Sequence, residues 1–230
     1  VGPPAALLTD GFNPGYSAFR DAQAERRAVV YVGANDGMLH AIDATVDGSS
    51  AGTDGGKELF AYVPSFLFDG PTLPRQPTLD GLAALSSKTW VHRYYVNATP
   101  AVGDVDFART ATTITNKSLA ADWRTVLVGG LGKGGRGFYA LDVTDPAALT
   151  EANAASKVLW EFTDPDMGFS FGAPQIVKTK QWGWVVLLTS GYNSLNHILD
   201  LGSSGVVANR AQGFLYVIDI RNGTLLQKIS

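Results

Sequence analysis

The sequence predicts an all-β chain: a partial β-propeller of about three four-stranded blades, preceded by one short helix. Three observations lead there. Short apolar runs that open near glycine and close on aspartate recur three times, as Gly37-Met-Leu-His-Ala-Ile-Asp43, Gly137-Phe-Tyr-Ala-Leu-Asp142 and Gly213-Phe-Leu-Tyr-Val-Ile-Asp219. Each is flanked by further strand-like runs in the same order, and a repeated four-strand unit is the mark of propeller blades. Glycine and proline supply 26 and 11 of 230 residues, which suits a chain that turns often.

Taken in order, residues 1–28 form a lead-in. Tyr16 to Arg27 is rich in helix formers and ends in Arg26 and Arg27, so a helix is expected over it. Residues 29–230 form the partial propeller, with blades at roughly 29–63, 96–163 and 172–230. In each blade the Asp-terminated strand is preceded by an apolar run: Val29 to Gly33, Thr125 to Gly129 and Val185 to Thr189. It is followed by another: Gly56 to Tyr62, Ser156 to Phe162 and Gly223 to Ile229. Leading strands are expected at Ala98 to Val102 and Gly172 to Ile176, with no counterpart in the first unit. The second Gly-to-Asp run is one residue shorter than the others, so that alignment is imperfect. Insertions occupy 64–95, 104–122 and 193–212, and a helical turn is expected over Leu79 to Leu85. Three blades do not close a ring, which leaves the last strand, near Ile229, as an open apolar edge. The chain reads as a piece of a longer protein.

Composition excludes several classes. With 45% hydrophobic and 17% charged residues the chain has material for a core and is not disordered. It has no cysteine, hence no disulfide, thiolate metal site or catalytic thiol. A net charge of -3 lacks the basic footprint of a nucleic-acid binder. No apolar run is long enough for a membrane-spanning helix, and residues 1–20 lack the pattern of a signal peptide.

Several motifs could carry chemistry. Gly168-Phe-Ser170-Phe-Gly172 matches G-x-S-x-G, but a strand rather than a helix follows, so Ser170 reads as a turn residue. Gly130-Leu-Gly132-Lys-Gly-Gly135 matches G-x-G-x-x-G. A strand follows here too, which predicts a hairpin with Lys133 and Arg136 as surface charges at its tip. Asp47 to Glu58 approaches a calcium loop, with Ser49, Gly52 and Glu58 in place, but Ala51 removes one ligand. Asp104 and Asp106 are expected in a turn, capping amides. Asp43, Asp142 and Asp219 read as strand-end caps rather than a repeated ligand. The five tryptophans, Trp182 and Trp184 among them on one strand face, read as blade packing.

The text of the chain resembles a known family. The matching segments are Ala22-Gln-Ala-Glu-Arg-Arg27, Tyr31-Val-Gly-Ala-Asn-Asp-Gly-Met-Leu-His40, Gly56-Lys-Glu-Leu-Phe60 with Pro64-Ser65, Tyr94-Tyr-Val96, Trp123-Arg-Thr-Val126, Gly134-Gly-Arg-Gly137, Ala140-Leu-Asp-Val-Thr-Asp-Pro146 and Gly191-Tyr-Asn-Ser194. They are similar to the type IV pilus biogenesis and pilus-tip adhesin family, PilY/PilC. The resemblance implies the C-terminal propeller domain of that family, and a non-enzymatic module that supports pilus extension, twitching motility and surface attachment. It implies export to the pilus tip or outer-membrane surface. The implied partners are minor pilins and host or abiotic surfaces. The family's regulatory calcium loop is expected beyond residue 230, so no catalytic, cofactor-binding or metal residue is assigned within this chain. The family's Arg-Gly-Asp motif is absent. The blades also resemble those of quinoproteins, and the alternative is a pyrroloquinoline-quinone oxidoreductase. The missing cysteines and the small number of blades weigh against it.

Overall fold

The computed structural model describes residues 1–46, 55–72, 75–192 and 213–230. Eleven strands form three antiparallel sheets among these residues. The first holds β1 (Val29–Gly33), β2 (Leu39–Asp43) and β3 (Glu58–Tyr62). The second holds β4 (Ala101–Asp106), β5 (Trp123–Gly130), β6 (Phe138–Asp142) and β7 (Val158–Phe162). The third holds β8 (Gln175–Thr179), β9 (Gly183–Thr189), β10 (Leu215–Asp219) and β11 (Leu225–Ile229). Each sheet pairs its strands in sequence order, which is the up-and-down order of a blade. The three sheets form a partial propeller and do not close a ring.

Blade 2 lies between its neighbours. All five residues of β6 are buried, because alternate side chains enter different cores. Val126, Val128, Phe138, Ala140, Trp160 and Phe162 meet Trp184, Val186, Leu188, Tyr216 and Ile218 of blade 3. Leu127, Tyr139 and Leu141, on the other face, meet Leu39, Tyr31, Phe60 and Tyr62 of blade 1. Blades therefore join face to face, and β11, expected as the unfinished edge, is the outer strand of its own sheet.

The third strands align without the one-residue defect seen in the text, since β2, β6 and β10 are each five residues long and each end in Asp. The outermost strand slips in register opposite the same place in all three blades, between Ala41 and Ile42, Ala140 and Leu141, and Val217 and Ile218. The unpaired extra residue is a leucine each time: Leu59, Leu159 and Leu226. One residue past the slip, the Asp side chain accepts the backbone N–H two positions on, from Thr45 (2.8 Å), Thr144 (3.0 Å) and Arg221 (3.0 Å). Each carboxylate also meets a cation: Arg27 with Asp43, Arg124 and Lys157 with Asp142, and Arg221 with Asp219. Bulge and capped turn thus recur as one device.

Several boundaries differ from expectation. The helix α1 (Tyr16–Ala22) stops short of Arg27. The chain turns after it, and Arg26 reaches Thr125 Oγ1 (2.6 Å) and Gly2 O (2.9 Å). Helix α1 docks on blade 2 through Tyr16, whose ring lies 4.9 Å from that of Trp123 and whose hydroxyl donates to Asp104 (2.8 Å). Strand β4 begins at Ala101 and β8 at Gln175, each just after a proline that has no N–H to give a ladder. Because β4 runs to Asp106, Asp104 lies within a strand rather than a turn. The helical segment expected at Leu79 to Leu85 is split into Pro77–Asp80 and a 3-10 stretch Leu82–Ser86. The 193–212 insertion lies outside the described residues.

The face of blade 1 turned away from blade 2 is uncovered, with Val30 and Val32 52% and 47% exposed. His40 shares that face, its Nδ1 3.1 Å from Glu58 Oε2 and its Nε2 2.9 Å from Asp36 Oδ2. Both neighbours accept only, so the doubly protonated ring satisfies them. Burial works against the charge, but the hydrogen bonds to Glu58 and Asp36 outweigh it and the His40 pKa is raised. A raised folded-state pKa gives stability that is fully present below the unfolded value of 6.5 and is lost as pH rises through the folded one. Thermal midpoints measured across that window are expected to fall more steeply with pH for the native chain than for His40→Gln.

Candidate functional site

The strand order sends the connections 34–38, 63–100, 131–137 and 163–174 to one end of the blades. Backbone hydrogen bonds stitch them into a belt. Val96 N donates to Ala34 O (3.2 Å), Asn97 N to Leu131 O (3.2 Å), Gly132 N to Ser170 O (3.2 Å) and Ser170 N to Gly135 O (3.1 Å). Gly168 N donates to Ser190 O (2.7 Å), which carries the belt to the end of β9. One belt thereby reaches all three blades.

The two glycine motifs are partners within it. Ser170 is fully buried, and its Oγ accepts from Leu131 N (2.9 Å) and donates to Gly135 O (3.3 Å). Its hydroxyl is consumed between the 131–135 loop and the linker to blade 3, and no histidine among the described residues hydrogen-bonds to it. The 131–137 connection is the expected hairpin between β5 and β6, closed by a 3-10 turn at Gly132–Gly134 in which Gly132 takes a φ of 57° and Lys133 is exposed. Arg136, expected as a surface charge, is half-buried. Its guanidinium lies 4.5 Å over the Phe169 ring and its Nε donates to Pro71 O (3.4 Å). Burial lowers its pKa. Replacing Ser170 by Ala strands the buried Leu131 N–H. The expected cost is about 1–3 kcal/mol of stability, read from denaturant midpoints.

The remaining sequence candidates separate. Asp106 ends β4 with its Oδ1 accepting from Ala108 N (3.0 Å) and Asp122 N (2.8 Å), and it pairs with buried Arg109 at 3.3 Å. Of the calcium-like loop, residues 47–54 lie outside the described residues, and Glu58 sits on β3 against His40. Among the described residues no group of three or more His, Asp or Glu is placed to hold a metal ion. No helix among them is long and apolar enough to cross a membrane.

The 64–95 insertion supplies what the loop end presents. A cleft of about 260 Å³ opens there, lined by Phe66, Pro71, Arg75, Arg136, Thr163 and Asp164. Arg75 pairs with Asp69 at 2.6 Å, and Asp164 pairs with Lys228 of β11 at 2.7 Å. The insertion is anchored to blade 2 through Glu161, which accepts from Tyr62 Oη (2.5 Å) and Ser65 N (2.7 Å). Buried Tyr95 also donates to Gly81 O (2.9 Å). Beside this anchor Trp90, His92 and Tyr94 stand in a row at the surface. Trp90 is 57% exposed, against the blade-packing role expected of the tryptophans. Trp182 also departs from that reading, since it lies half-buried in the turn before β9, whereas Trp184 packs at 5.9 Å from Trp123. The sequence signal for the row was aromatic alternation in Trp90-Val-His92-Arg-Tyr94 with no strand to pair it.

Comparison with known proteins agrees with this architecture. A family model, the PilY1 beta-propeller domain, matches residues 6–230. The type IV pilus biogenesis factor PilY1 of Pseudomonas aeruginosa (strain PAO1) is 35% identical over 217 residues, covering 93% of this chain and 14% of its own length. A PilY1 homolog of Xylella fastidiosa (strain Temecula1) is 35% identical over 219 residues, covering 93% of this chain and 11% of its own length. The crystal structure of the Pseudomonas aeruginosa PilY1 C-terminal domain superposes with a TM-score of 0.65 at 32% identity, over 100% of this chain and 36% of that one. The chain thus spans a small part of the relatives it matches.

Proposed function

The chain belongs to the PilY1 beta-propeller family, and from that premise we propose that it is a non-enzymatic platform in type IV pilus biogenesis. Its relatives are named as pilus biogenesis factors. In this reading the blades provide rigidity and the loop end provides recognition. The module works at the cell surface or pilus tip, engages minor pilins, and supports pilus extension, twitching motility and attachment to surfaces.

The observation that carries the reading is the belt at the loop end. The two motifs with an enzymatic look are spent there on backbone pairing, and the 64–95 insertion is fixed to blade 2 through Glu161 and packs Leu67 into the core between blades 1 and 2. The reading predicts that the whole protein, immobilised and exposed to minor pilins, retains at least one of them. Recovery of none would count against it.

A further inference from the structure

We propose that the row Trp90, His92 and Tyr94, with Lys133 at its end, binds a carboxylate-bearing saccharide. The proposal rests on these side chains and not on the pilus reading, so the two stand or fall separately. The Trp90 and His92 rings are 6.3 Å apart and nearly perpendicular at 89°, and the His92 and Tyr94 rings are 4.9 Å apart at 87°. Lys133 Nζ lies 4.3 Å from the Tyr94 centroid. Asn35 Nδ2 donates to His92 Nε2 (3.3 Å), and Asn35 Oδ1 accepts from Tyr95 N (3.4 Å). The row is therefore braced from below by the belt rather than loose.

Exposed aromatic rings held in place mark contact sites, because their hydration costs free energy that a partner recovers. The partner's chemistry follows from what borders the rings. A pyranose offers an apolar C–H face, whose positive hydrogens suit the negative face of an indole. Its rim hydroxyls suit the amide of Asn35 and the imidazole of His92. Lys133 is exposed and forms no ion pair among the described residues, so its ammonium is available to a carboxylate. Exposed Lys88 and half-buried Arg93 add positive charge on the same segment. A protein partner would call for a broad apolar centre, of about 800 Å² per side in a stable complex. Exposed Val91 is the one further apolar side chain within the 90–94 segment, and Asn35 and Lys133 border the rings with polar groups. A nucleic acid is disfavoured by the net charge of -3.

The test is titration of the whole chain with trigalacturonate, followed by tryptophan fluorescence. Trp123, Trp160 and Trp184 are buried and half-buried Trp182 lies in the β8–β9 turn, so the part of the response that Trp90→Ala removes belongs to this surface. A saturable shift is expected, lost in Trp90→Ala. It should weaken about tenfold in Lys133→Gln and about tenfold for neutral cellotriose, the worth of one charge-assisted contact. Trp90 is exposed, so Trp90→Ala is expected to keep the native thermal midpoint, which separates lost binding from lost fold. Absence of a saturable shift, persistence of the shift in Trp90→Ala, or equal affinity for cellotriose overturns the proposal. So does failure with trigalacturonate combined with loss of minor-pilin capture in Trp90→Ala, which would make the row a protein-docking surface.

Discussion

Replacing Trp160 by Ala is expected to destabilise the chain by about 3–5 kcal/mol, the range for truncating a large buried aromatic. Trp160 sits on β7 in the core between blades 2 and 3, and its Nε1 donates to Ile220 O at 2.8 Å across that junction. The substitution opens a cavity and orphans a buried carbonyl together. Its ring also lies against Gly223, where a φ of 73° forms the β10–β11 turn and an added Cβ would strike the indole. The loss should appear as a lower denaturant midpoint with the slope unchanged. A conservative Trp160→Phe should recover part of the packing but not the hydrogen bond.

Gly134→Ala is the second large effect. A Cβ on Gly134 would fall on the backbone carbonyl of Tyr95, well inside van der Waals contact. Backbone cannot step aside as a flexible side chain can, so the cost is expected at about 3 kcal/mol, the upper end for overpacking. The displaced segment 95–97 would lose the Asn97 N–Leu131 O bond and shift the aromatic row. Gly11→Ala is the matched control, since a Cβ there meets nothing within 4 Å, and it should leave the thermal midpoint in place. Equal midpoints for the two variants would mean that the glycine run is not held at close approach.

What the text disclosed and what it hid follow from the range of the interactions. The Asp-terminated strands were legible because β2, β6 and β10 bury apolar side chains and then turn on a local cap, both read within seven residues. The leucine bulges were not legible, because Leu59, Leu159 and Leu226 look like ordinary strand residues until paired with a partner strand. The start of β4 was misplaced by reading Ala98 as strand, although Pro100 pointed to a later start. The pairing of Ser170 with the 131–135 loop spans 39 residues and has no local signature. Trp90 was misread because composition favours burial of tryptophan, whereas an insertion can hold one outside every core.

The proposed role in pilus assembly is tested most directly by the amount of pilin sheared from the surface of cells in which the coding sequence for this chain is deleted in frame. Sheared pilin is expected to fall to a small fraction of the wild-type amount while total cellular pilin is unchanged, and to return when the native sequence is restored. An unchanged yield of sheared pilin in the deletion strain would contradict that role.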